Sequence, residues 1–507
     1  MPTLPPLDLA IVAVYVLGMT LVGVWFTRRQ KDLKTYFVGG RDVGWFMVLV
    51  SIVATETSAV TFLSVPGLAY RTPGGNLTYL QLAFGYVLGR IVVAAVLLPM
   101  YMRGDVFSVY QVLRQRFSPA VQRTASAIFL LTRTLADGLR LFLTALLMQY
   151  VGVSIETAVV LVGVVTIVYT YLGGMKAVIW TDLVQFVIKI AGAMLAGVFV
   201  LRLLPGGWSQ LVEIGDDAGK FRLIDADHAF DPKFPFNLWA GVVGGAVFSM
   251  ASHGADQLMV QRYLCARSLG QARLALVLSG FTVTAQFLLF LLVGAGLYAL
   301  VQTGGFVPPT RADGRDWRPD EVFGLFIVTT LPTGVAGVLV AAVLAAAMST
   351  LSSSLNSSAN ALVTDFYQPL RPGRGERHYV RVSRLATAGW GLAQMGVAVG
   401  AYRFGGDKSV VEQVLKVAGL TTGLLLGLFV LGSRPRPVSS RAALGGLAAG
   451  FAAVLGVWVP EVLGRPILAW PWFALVGTSV TVAVALLLSR LLPTQHGPAP
   501  TSGHRSP

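Results

Sequence analysis

The sequence predicts an all-α membrane protein with about thirteen transmembrane helices. Of its 507 residues, 55% are hydrophobic and only 12% are charged, whereas soluble domains carry about 25% charged residues. A helix needs about 20 apolar residues to cross the hydrocarbon core, and thirteen stretches of suitable length follow one another along the chain. We therefore expect a multi-pass protein of the cell membrane, with the lipid bilayer as its solvent.

The thirteen predicted spans lie near residues 8–27, 44–69, 77–101, 122–149, 154–172, 181–204, 237–261, 274–301, 334–366, 382–402, 410–432, 441–459 and 468–490. We interpret residues 1–492 as one transmembrane domain. In it, span 8–27 precedes a core with halves at about 44–204 and 237–432, and two extra spans follow at 441–490. The tail 493–507 is rich in Pro, Ser and Gly, which predicts a disordered segment on the cytoplasmic side.

The net charge of +15 is distributed according to membrane topology. With thirteen spans, one set of alternate loops holds 23 of the 39 Lys and Arg residues and the other set holds 11. The positive-inside rule then places the N-terminus outside and the C-terminus in the cytoplasm, and no nucleic-acid partner is needed to explain the charge. The remaining basic residues lie within or beside spans, and we expect Arg90 and Lys189 to snorkel towards helix ends; the others are Arg133, Arg140 and Lys416.

Two spans carry polar and small residues in their middle, which predicts interrupted helices. The second span contains Thr55-Glu56-Thr57-Ser58 before Pro66-Gly67, and the seventh contains Ser252-His253-Gly254 and Asp256. Non-helical backbone at bilayer depth is stable only where it lines a cavity or is buried in protein. Spans 2–6 and 7–11 are thus predicted to form two inverted repeats, each opening with a broken helix. The alternative is that Gly and Ser serve helix packing.

A polar stripe follows the most apolar segment of the chain. Residues 335–348 contain no polar side chain, whereas nine of the next twelve residues, 349–360, carry a hydroxyl or a carboxamide. Hard cations prefer oxygen ligands, and polar groups within spans mark ion and substrate pathways. The stripe predicts an ion-coupled transporter, unless its hydroxyls merely bond back to their own helix.

The fourth span places three charged residues on one helical face, because Arg133, Asp137 and Arg140 are spaced i, i+4 and i, i+3. Two cations and one anion leave a net charge of +1, which a carboxylate substrate would neutralise through the planar fork of an arginine. The alternative is a wholly structural ion network.

Four stretches of the chain resemble the sodium:solute symporter family. Residues 169–185 (YTYLGGMKAVIWTDLVQ) resemble the family pattern GG-x-x-A-x-x-W-T-D-x-x-Q, and the supporting matches are 37–41 (FVGGR), 257–262 (Q-x-x-x-QR) and 349–365. The resemblance implies a LeuT-like core of two inverted five-helix repeats. It also implies that the chain is no enzyme but a symporter, which imports a small polar organic solute together with sodium by alternating access.

The resemblance implies ligand positions for sodium, the expected cofactor ion. The principal site would take backbone oxygens of the broken helix and hydroxyls of the polar stripe: Ala54, Thr57, Ala346, Ser349 and Thr350. A second sodium site, present in some members, would use Asp182, Ser352 and Ser353. Asp182 has an alternative role, since an acid in the first turn of a helix stabilises the helix dipole.

The resemblance to sialic acid carriers implies a solute site that contains Arg133 as the carboxylate ligand. Its other members would be Glu56, Ser58, Thr61, Asn76, Gln81 and Asp256. Glu56 stands where the family has a neutral residue, and Asp256 stands where sugar carriers have Asn. Either acid could repel an anion, bind a polyol or an ammonium group, or pair with Arg133 or Arg140 in the wholly structural ion network. We expect a carboxylate or sugar acid as the solute, with a neutral sugar, a polyol or a vitamin-like solute as the alternative.

Three other classes of protein fit the composition less well. A non-transporting solute sensor would need an output domain, and the longest loop has only about thirty residues. A channel would need a filter built on symmetric repeats, which the sequence does not contain. An intramembrane enzyme is disfavoured because His253 and Asp256 have no further metal ligand or nucleophile in a recognisable pattern.

Overall fold

The computed structural model describes residues 4–25, 32–72, 74–103, 106–150, 152–225, 227–228, 230–310, 316–404 and 410–491. Within these ranges the chain forms twenty α-helices and no β-strand. The helices of the first half are α1 (Pro6–Trp25), α2 (Leu33–Val38), α3 (Trp45–Glu56), α4 (Ala59–Tyr70), α5 (Leu80–Val92), α6 (Leu98–Met102), α7 (Tyr110–Arg116), α8 (Pro119–Gln149), α9 (Ile155–Leu203) and α10 (Gly207–Asp217).

The second half begins with a broken helix, as the first half does after α1 and α2. Its helices are α11 (Gly245–Gly254), α12 (Gln257–Leu264), α13 (Leu269–Gln302), α14 (Pro319–Thr329), α15 (Val335–Ala361), α16 (Gln368–Leu370), α17 (Glu376–Phe404), α18 (Val410–Ser433), α19 (Ser440–Val462) and α20 (Phe473–Leu491). Short π-helical segments at 93–97, 240–244 and 362–367 join α5 to α6, precede α11 and extend α15.

Helices lie over each of the thirteen predicted spans. The fifth and sixth spans are the two parts of α9, which meet at a kink where Gly174 has φ 56° and ψ −163°. Eight continuous helical stretches of the described residues, counted through the π-helical segments, are long and apolar enough to cross a membrane, and the bent pair α3–α4 makes nine. The number of crossings and the sides of the termini therefore stay predictions.

Both predicted interruptions occur in the structure. Helix α3 ends at Glu56 and α4 begins at Ala59, with 63° between their axes. Helix α11 ends at Gly254 and α12 begins at Gln257, after Asp256, whose Oδ1 accepts a hydrogen bond of 2.8 Å from the Leu258 amide. The residues between the paired helices are Thr57 and Ser58 in the first break and Ala255 and Asp256 in the second. Backbone groups at these breaks leave the helical hydrogen-bond ladder and need other partners.

Helix α15 lies at the centre of the bundle, where it packs against α1, α8, α9 and α17. Every residue from 339 to 361 is buried, so the polar stripe faces neighbouring helices. Some hydroxyls do bond back to their own helix, as Ser352 Oγ does to Ser349 O at 3.1 Å. Others bridge to α3, which brings the stripe against the first broken helix.

A glycine contact sets how closely α13 approaches α4. A Cβ added at Gly294 would lie 2.0 Å from the backbone oxygen of Pro66, so Gly294→Ala must push the two helices apart. We expect a cost of about 1–3 kcal/mol from overpacking, seen as a lower melting temperature in detergent. Gly396→Ala in α17 is the matched control, since its Cβ would meet nothing within 4 Å; equal melting of both variants would contradict the prediction.

Candidate cation and solute sites

The predicted principal sodium ligands converge where the break after α3 meets the middle of α15. The last turn of a helix leaves backbone carbonyls without helical partners, and hydroxyls of α15 supply donors for them. Ser349 Oγ donates to Ala54 O at 2.9 Å, and Thr350 Oγ1 donates to Thr55 O at 2.9 Å. The same two hydroxyls lie 3.3 and 3.2 Å from Ala346 O. The junction is therefore an oxygen-rich, buried pocket of the kind that a dehydrated cation needs.

A lysine side chain from α9 occupies this junction. The Lys189 ammonium donates to Ala54 O at 2.5 Å, to Thr57 O at 3.1 Å and to Ser349 Oγ at 3.0 Å. The side chain is fully buried, so the expectation that Lys189 snorkels to a helix end is wrong. Its stem points to the centre of the bundle because three oxygens there replace the water that an interfacial position would have supplied.

An arginine side chain occupies the predicted second sodium site, as Lys189 occupies the principal one. Arg262 from α12 donates through Nη2 to Ser353 Oγ and to Thr55 Oγ1, and this nitrogen lies 3.6 Å from Asp182 Oδ2. Ser51 Oγ donates to the same carboxylate oxygen at 2.6 Å. Asp182 and Ser353 are thus brought together, whereas the Ser352 hydroxyl bonds to its own helix.

The position of Asp182 along α9 tests its alternative role, in which it would stabilise a helix dipole. It lies eight residues beyond the kink at Gly174, so it belongs to the interior of its helix rather than to a first turn, and the helix-dipole role is excluded. Its Oδ1 atom is buried and, among the residues that the structure describes, receives no hydrogen bond. A carboxylate oxygen with its lone pairs free is a ligand that a hard cation can take.

A cavity of about 130 Å³ lies beside the junction, between the two broken helices. Thr350 and Thr55 belong to both places, so the cavity and the cation junction share a wall. The lining includes five of the seven predicted solute residues, which are Glu56, Ser58, Thr61, Arg133 and Asp256. Aromatic rings, which the sequence reasoning missed, form much of the rest: Tyr79, Tyr86, Phe248 and Phe287.

The remaining two predicted solute residues do not line this cavity. Asn76 Oδ1 accepts from the amide and the hydroxyl of Thr78, at 3.0 and 2.7 Å, and so shapes the turn before α5. Gln81 Nε2 donates to Phe236 O at 2.7 Å and ties α5 to the segment before α11. Both amides are used in backbone contacts, which the positional match to sialic acid carriers could not foresee.

The arginines of α8 are paired within an ion network. Arg133 binds Asp256 and lies 3.6 Å from Asp137, and Arg140 binds Asp137. Two cations and two carboxylates sum to zero, so the expected net charge of +1 is wrong. The expectation counted charges on one span only, and Asp256 reaches Arg133 from the second broken helix. The network of the alternative interpretation is therefore present, with Arg133, Arg140 and Asp256 also facing the cavity.

A second ion pair, between Glu56 and the buried Arg90, lies where Glu56 lines the cavity. Arg90 donates to both carboxylate oxygens of Glu56 at 2.6 Å and to Ser279 Oγ at 2.7 Å. His253 Nε2 lies 3.7 Å from Glu56 Oε2, while its Nδ1 contacts the Tyr263 hydroxyl at 2.7 Å. Arg90 is fully buried, so the snorkelling expectation is wrong for this residue as well: the acid of α3 holds it inside.

Comparison with known proteins supports the same architecture. A model of the sodium:solute symporter family matches residues 36–450. The human sodium/iodide cotransporter is 31% identical over 472 residues, which cover 90% of this chain and 70% of the relative. The sodium/sialic acid symporter NanT of Aliivibrio fischeri is 29% identical over 483 residues, which cover 93% of this chain and 91% of the relative.

A solved structure extends the likeness to three dimensions. The substrate-bound, outward-open state of a Na⁺-coupled sialic acid symporter superposes with a TM-score of 0.85 at 26% identity, covering 97% of this chain and 99% of that one. The predicted fold class, an all-α membrane protein with a LeuT-like core of two inverted five-helix repeats, is confirmed. The family model, the relatives and the shared fold all agree. The chain belongs to the sodium:solute symporter family.

Proposed function

We propose that this protein is a secondary active symporter that couples the inward movement of sodium to the import of a small polar organic solute. The observation that carries the proposal is the convergence of Ala54, Thr57, Ala346, Ser349 and Thr350 on one buried junction. Such a set of backbone and hydroxyl oxygens can replace most of the hydration shell of a sodium ion.

The shared wall between junction and cavity gives the coupling its physical basis. A cation at the junction holds the end of α3 against α15, and the next residues, Glu56 and Ser58, line the cavity. Fixing them in place favours solute binding, and linkage requires that the solute raise the affinity for sodium by the same factor. Alternating access would then carry both ligands across the membrane, with the N-terminus outside and the C-terminus in the cytoplasm.

We infer that the solute is a carboxylate or a sugar acid. Arg133 presents a planar guanidinium fork to the cavity, which suits bidentate binding of a carboxylate. The relatives named above transport iodide and sialic acid, which are anions. Since Asp256 now binds Arg133, an arriving carboxylate would have to displace it, and Asp256 would turn towards another donor or towards water.

A neutral sugar or polyol is the second candidate. It is favoured by the zero net charge of Arg133, Arg140, Asp137 and Asp256, because a balanced network offers both donors and acceptors to hydroxyl groups. The stacked rings of Tyr86 and Phe248 would suit the apolar face of a sugar. The two candidates differ in one measurable respect, since only the anion needs Arg133 freed from Asp256.

A ligand screen on the purified protein tests this proposal. The melting temperature is measured in detergent with carboxylates, sugars, polyols and amino acids, each in sodium and in choline. Ligand at about a hundred times its Kd adds roughly 2.7 kcal/mol to stability. Stabilisation by a carboxylate in sodium only supports the proposal; stabilisation by sugars alone favours the second candidate, and equal binding in choline opposes sodium coupling.

The second sodium site at Asp182, Ser352 and Ser353 remains part of the proposal. It is supported by the buried Asp182 Oδ1, which has no donor among the described residues, and by the nearby hydroxyl of Ser353. Ser352 would have to turn its hydroxyl away from Ser349 O to contribute. The protein would carry two sodium ions per cycle if this site binds sodium and one if it does not.

Ser349→Ala is expected to raise the sodium concentration needed for ligand stabilisation by about ten- to a hundredfold. The change removes one oxygen from the junction, and a hydrogen-bonding group lost from a charged ligand costs roughly 1.5–3 kcal/mol. The measurement is the sodium dependence of the melting shift produced by the best carboxylate of the screen. Ser357→Ala is the control, because that hydroxyl bonds back to Ser354 O in its own helix; unaltered sodium dependence in Ser349→Ala would refute the site.

A further inference from the structure

A basic cavity lies at the side of the bundle that the charge distribution predicts to be cytoplasmic. It measures about 780 Å³, which is within the range of cavities that hold small ligands, and it shares no lining residue with the solute cavity. Five arginines line it: Arg41, Arg103, Arg116, Arg267 and Arg273. In the described part of the chain no Asp or Glu stands among its lining residues, so its wall is strongly positive.

Two of these arginines are held in place by backbone carbonyls. Arg267 Nε donates to Asp42 O at 2.8 Å, and Arg273 Nε donates to Ala94 O at 2.9 Å, in the π-helical segment before α6. Neither bond brings a counter-charge, because both acceptors are neutral carbonyls and the Asp42 carboxylate itself binds Lys176 at 2.8 Å. The bonds use only Nε, so the two Nη groups of each arginine can bind a ligand.

The other two arginines that count here come from the first half of the chain. Arg103 follows α6, Arg116 ends α7, and both are exposed. Neither guanidinium group makes a hydrogen bond or an ion pair with any residue that the structure describes. Four guanidinium groups without a described acid therefore line one cavity, where they repel one another until an anion enters. The planar fork of arginine matches the paired oxygens of a phosphate.

The cavity is open to the lipid-facing surface of the bundle. Val96 lines the cavity and is 52% exposed, and apolar side chains before it on α5 are exposed as well: Leu88, Ile91 and Val92. Helix α13 runs beside α5 over this length, since a Cβ added at Gly280 would lie 3.2 Å from Val87 Cγ2 and Arg273 reaches Ala94. An acyl chain can therefore lie along these side chains while its headgroup lies in the cavity.

We propose that this cavity binds the phosphate headgroup of an anionic phospholipid from the adjacent leaflet. A free phosphate ion would satisfy the same arginines, but only a lipid also covers the exposed apolar side chains beside Val96. Basic pockets between transmembrane helices on the cytoplasmic side suit such headgroups. Arg103 and Arg116 belong to the first half of the core, and Arg267 and Arg273 belong to the second. A headgroup bound to all four links the two halves and stabilises their arrangement.

Native mass spectrometry of the purified, delipidated full-length protein tests this site. Phosphatidylglycerol is titrated in comparison with phosphatidylcholine, which has the same phosphate but no net charge, and the bound fraction of each lipid gives its apparent Kd. We expect phosphatidylglycerol to bind about tenfold more tightly or better, because several arginines act on its net negative charge. Inorganic phosphate and glycerol phosphate are added as competitors, since they carry the same phosphate chemistry without acyl chains.

The double variant Arg103→Gln, Arg116→Gln removes two charges of the cavity and no hydrogen bond between described side chains. We expect its apparent Kd for phosphatidylglycerol to rise about thirtyfold, since each basic residue near an anionic lipid contributes roughly a factor of five. Arg377→Gln, Arg381→Gln is the matched control, because both residues are exposed on α17, on the same predicted side, and neither lines the cavity. The control should bind phosphatidylglycerol as the wild type does.

The outcomes decide between a lipid site and its alternatives. Binding that is selective for phosphatidylglycerol and is weakened only in the Arg103 and Arg116 variant supports the proposal. Equal affinity for the two lipids, or equal weakening in both double variants, overturns it and indicates diffuse attraction to surface charge. Displacement of phosphatidylglycerol by equal concentrations of inorganic phosphate or glycerol phosphate overturns the lipid and assigns the cavity to a soluble phosphate compound. The wild-type titrations decide the question even if a variant does not fold, and none of them needs sodium, so each result leaves the proposed function untouched.

Discussion

Glu56→Ala is expected to destabilise the protein by about 3–5 kcal/mol, because it leaves Arg90 buried without a counter-charge. Arg90 is fully buried and donates to both oxygens of Glu56. The remaining contact to Ser279 Oγ cannot compensate for a guanidinium at bilayer depth. The measurement is the melting temperature in detergent, together with the yield of monodisperse protein.

The double variant Glu56→Ala, Arg90→Met tests whether the loss of stability comes from the unpaired charge of Arg90 or from the loss of the Glu56 side chain itself. Replacing both partners of a buried ion pair by apolar groups is often nearly neutral, so the double variant should recover most of the stability lost in Glu56→Ala. If the single variant melts within a degree or two of the wild type, the pair does not stabilise this wall. The same result would then imply that water reaches Arg90 through the cavity.

Arg133→Lys is expected to weaken carboxylate binding at least tenfold while the protein remains folded. Lysine keeps the positive charge opposite Asp256 and Asp137 but lacks the planar fork for bidentate binding. The melting shift produced by the best carboxylate of the screen, in saturating sodium, measures the change. Arg133→Ala should abolish binding, although it also leaves Asp256 without its partner.

Asp256→Asn gives the reverse expectation, because Asp256 competes with the carboxylate for Arg133. Removing its charge should free the guanidinium and strengthen carboxylate binding several-fold, while the amide can still cap α12 through the contact to the Leu258 amide. Unchanged affinity in both Arg133→Lys and Asp256→Asn would sink the role of Arg133 as anchor. It would then leave the ion network as a purely structural feature and favour the neutral solute.

Much of the fold could be predicted because it depends on local properties of the chain. Hydropathy located every helix-covered span, and the polar residues around Glu56 and Asp256 located both breaks. The meeting of Ser349 and Thr350 with the end of α3 was implied by the family motifs rather than by any pattern of the sequence alone. The resemblance named Ala54 and Thr57 there, and the Thr350 hydroxyl bonds to Thr55 O, which it did not name.

The charge pairs could be predicted only as alternatives, because each depends on partners from distant spans. The sequence allowed Glu56 or Asp256 to pair with an arginine of the fourth span, and in the structure Asp256 does so, whereas Glu56 binds Arg90. Arg90 needs Glu56, 34 residues away, and Arg133 needs Asp256, 123 residues away. Lys189 was missed for a further reason: its partners are backbone carbonyls and a hydroxyl, which carry no sequence signal for a lysine. The available clue was the position of Lys189 in the interior of a helix. A side chain can snorkel only when a helix end is nearby, so this position argued against snorkelling.

Sodium-driven accumulation in proteoliposomes tests the central claim most directly. The best carboxylate of the ligand screen is supplied in radiolabelled form outside, with an inward sodium gradient or with choline in its place. We predict accumulation above the external concentration with the sodium gradient and none in choline. Equilibration to the same level in both media, or binding without uptake, would contradict the account of this protein as a sodium-coupled symporter.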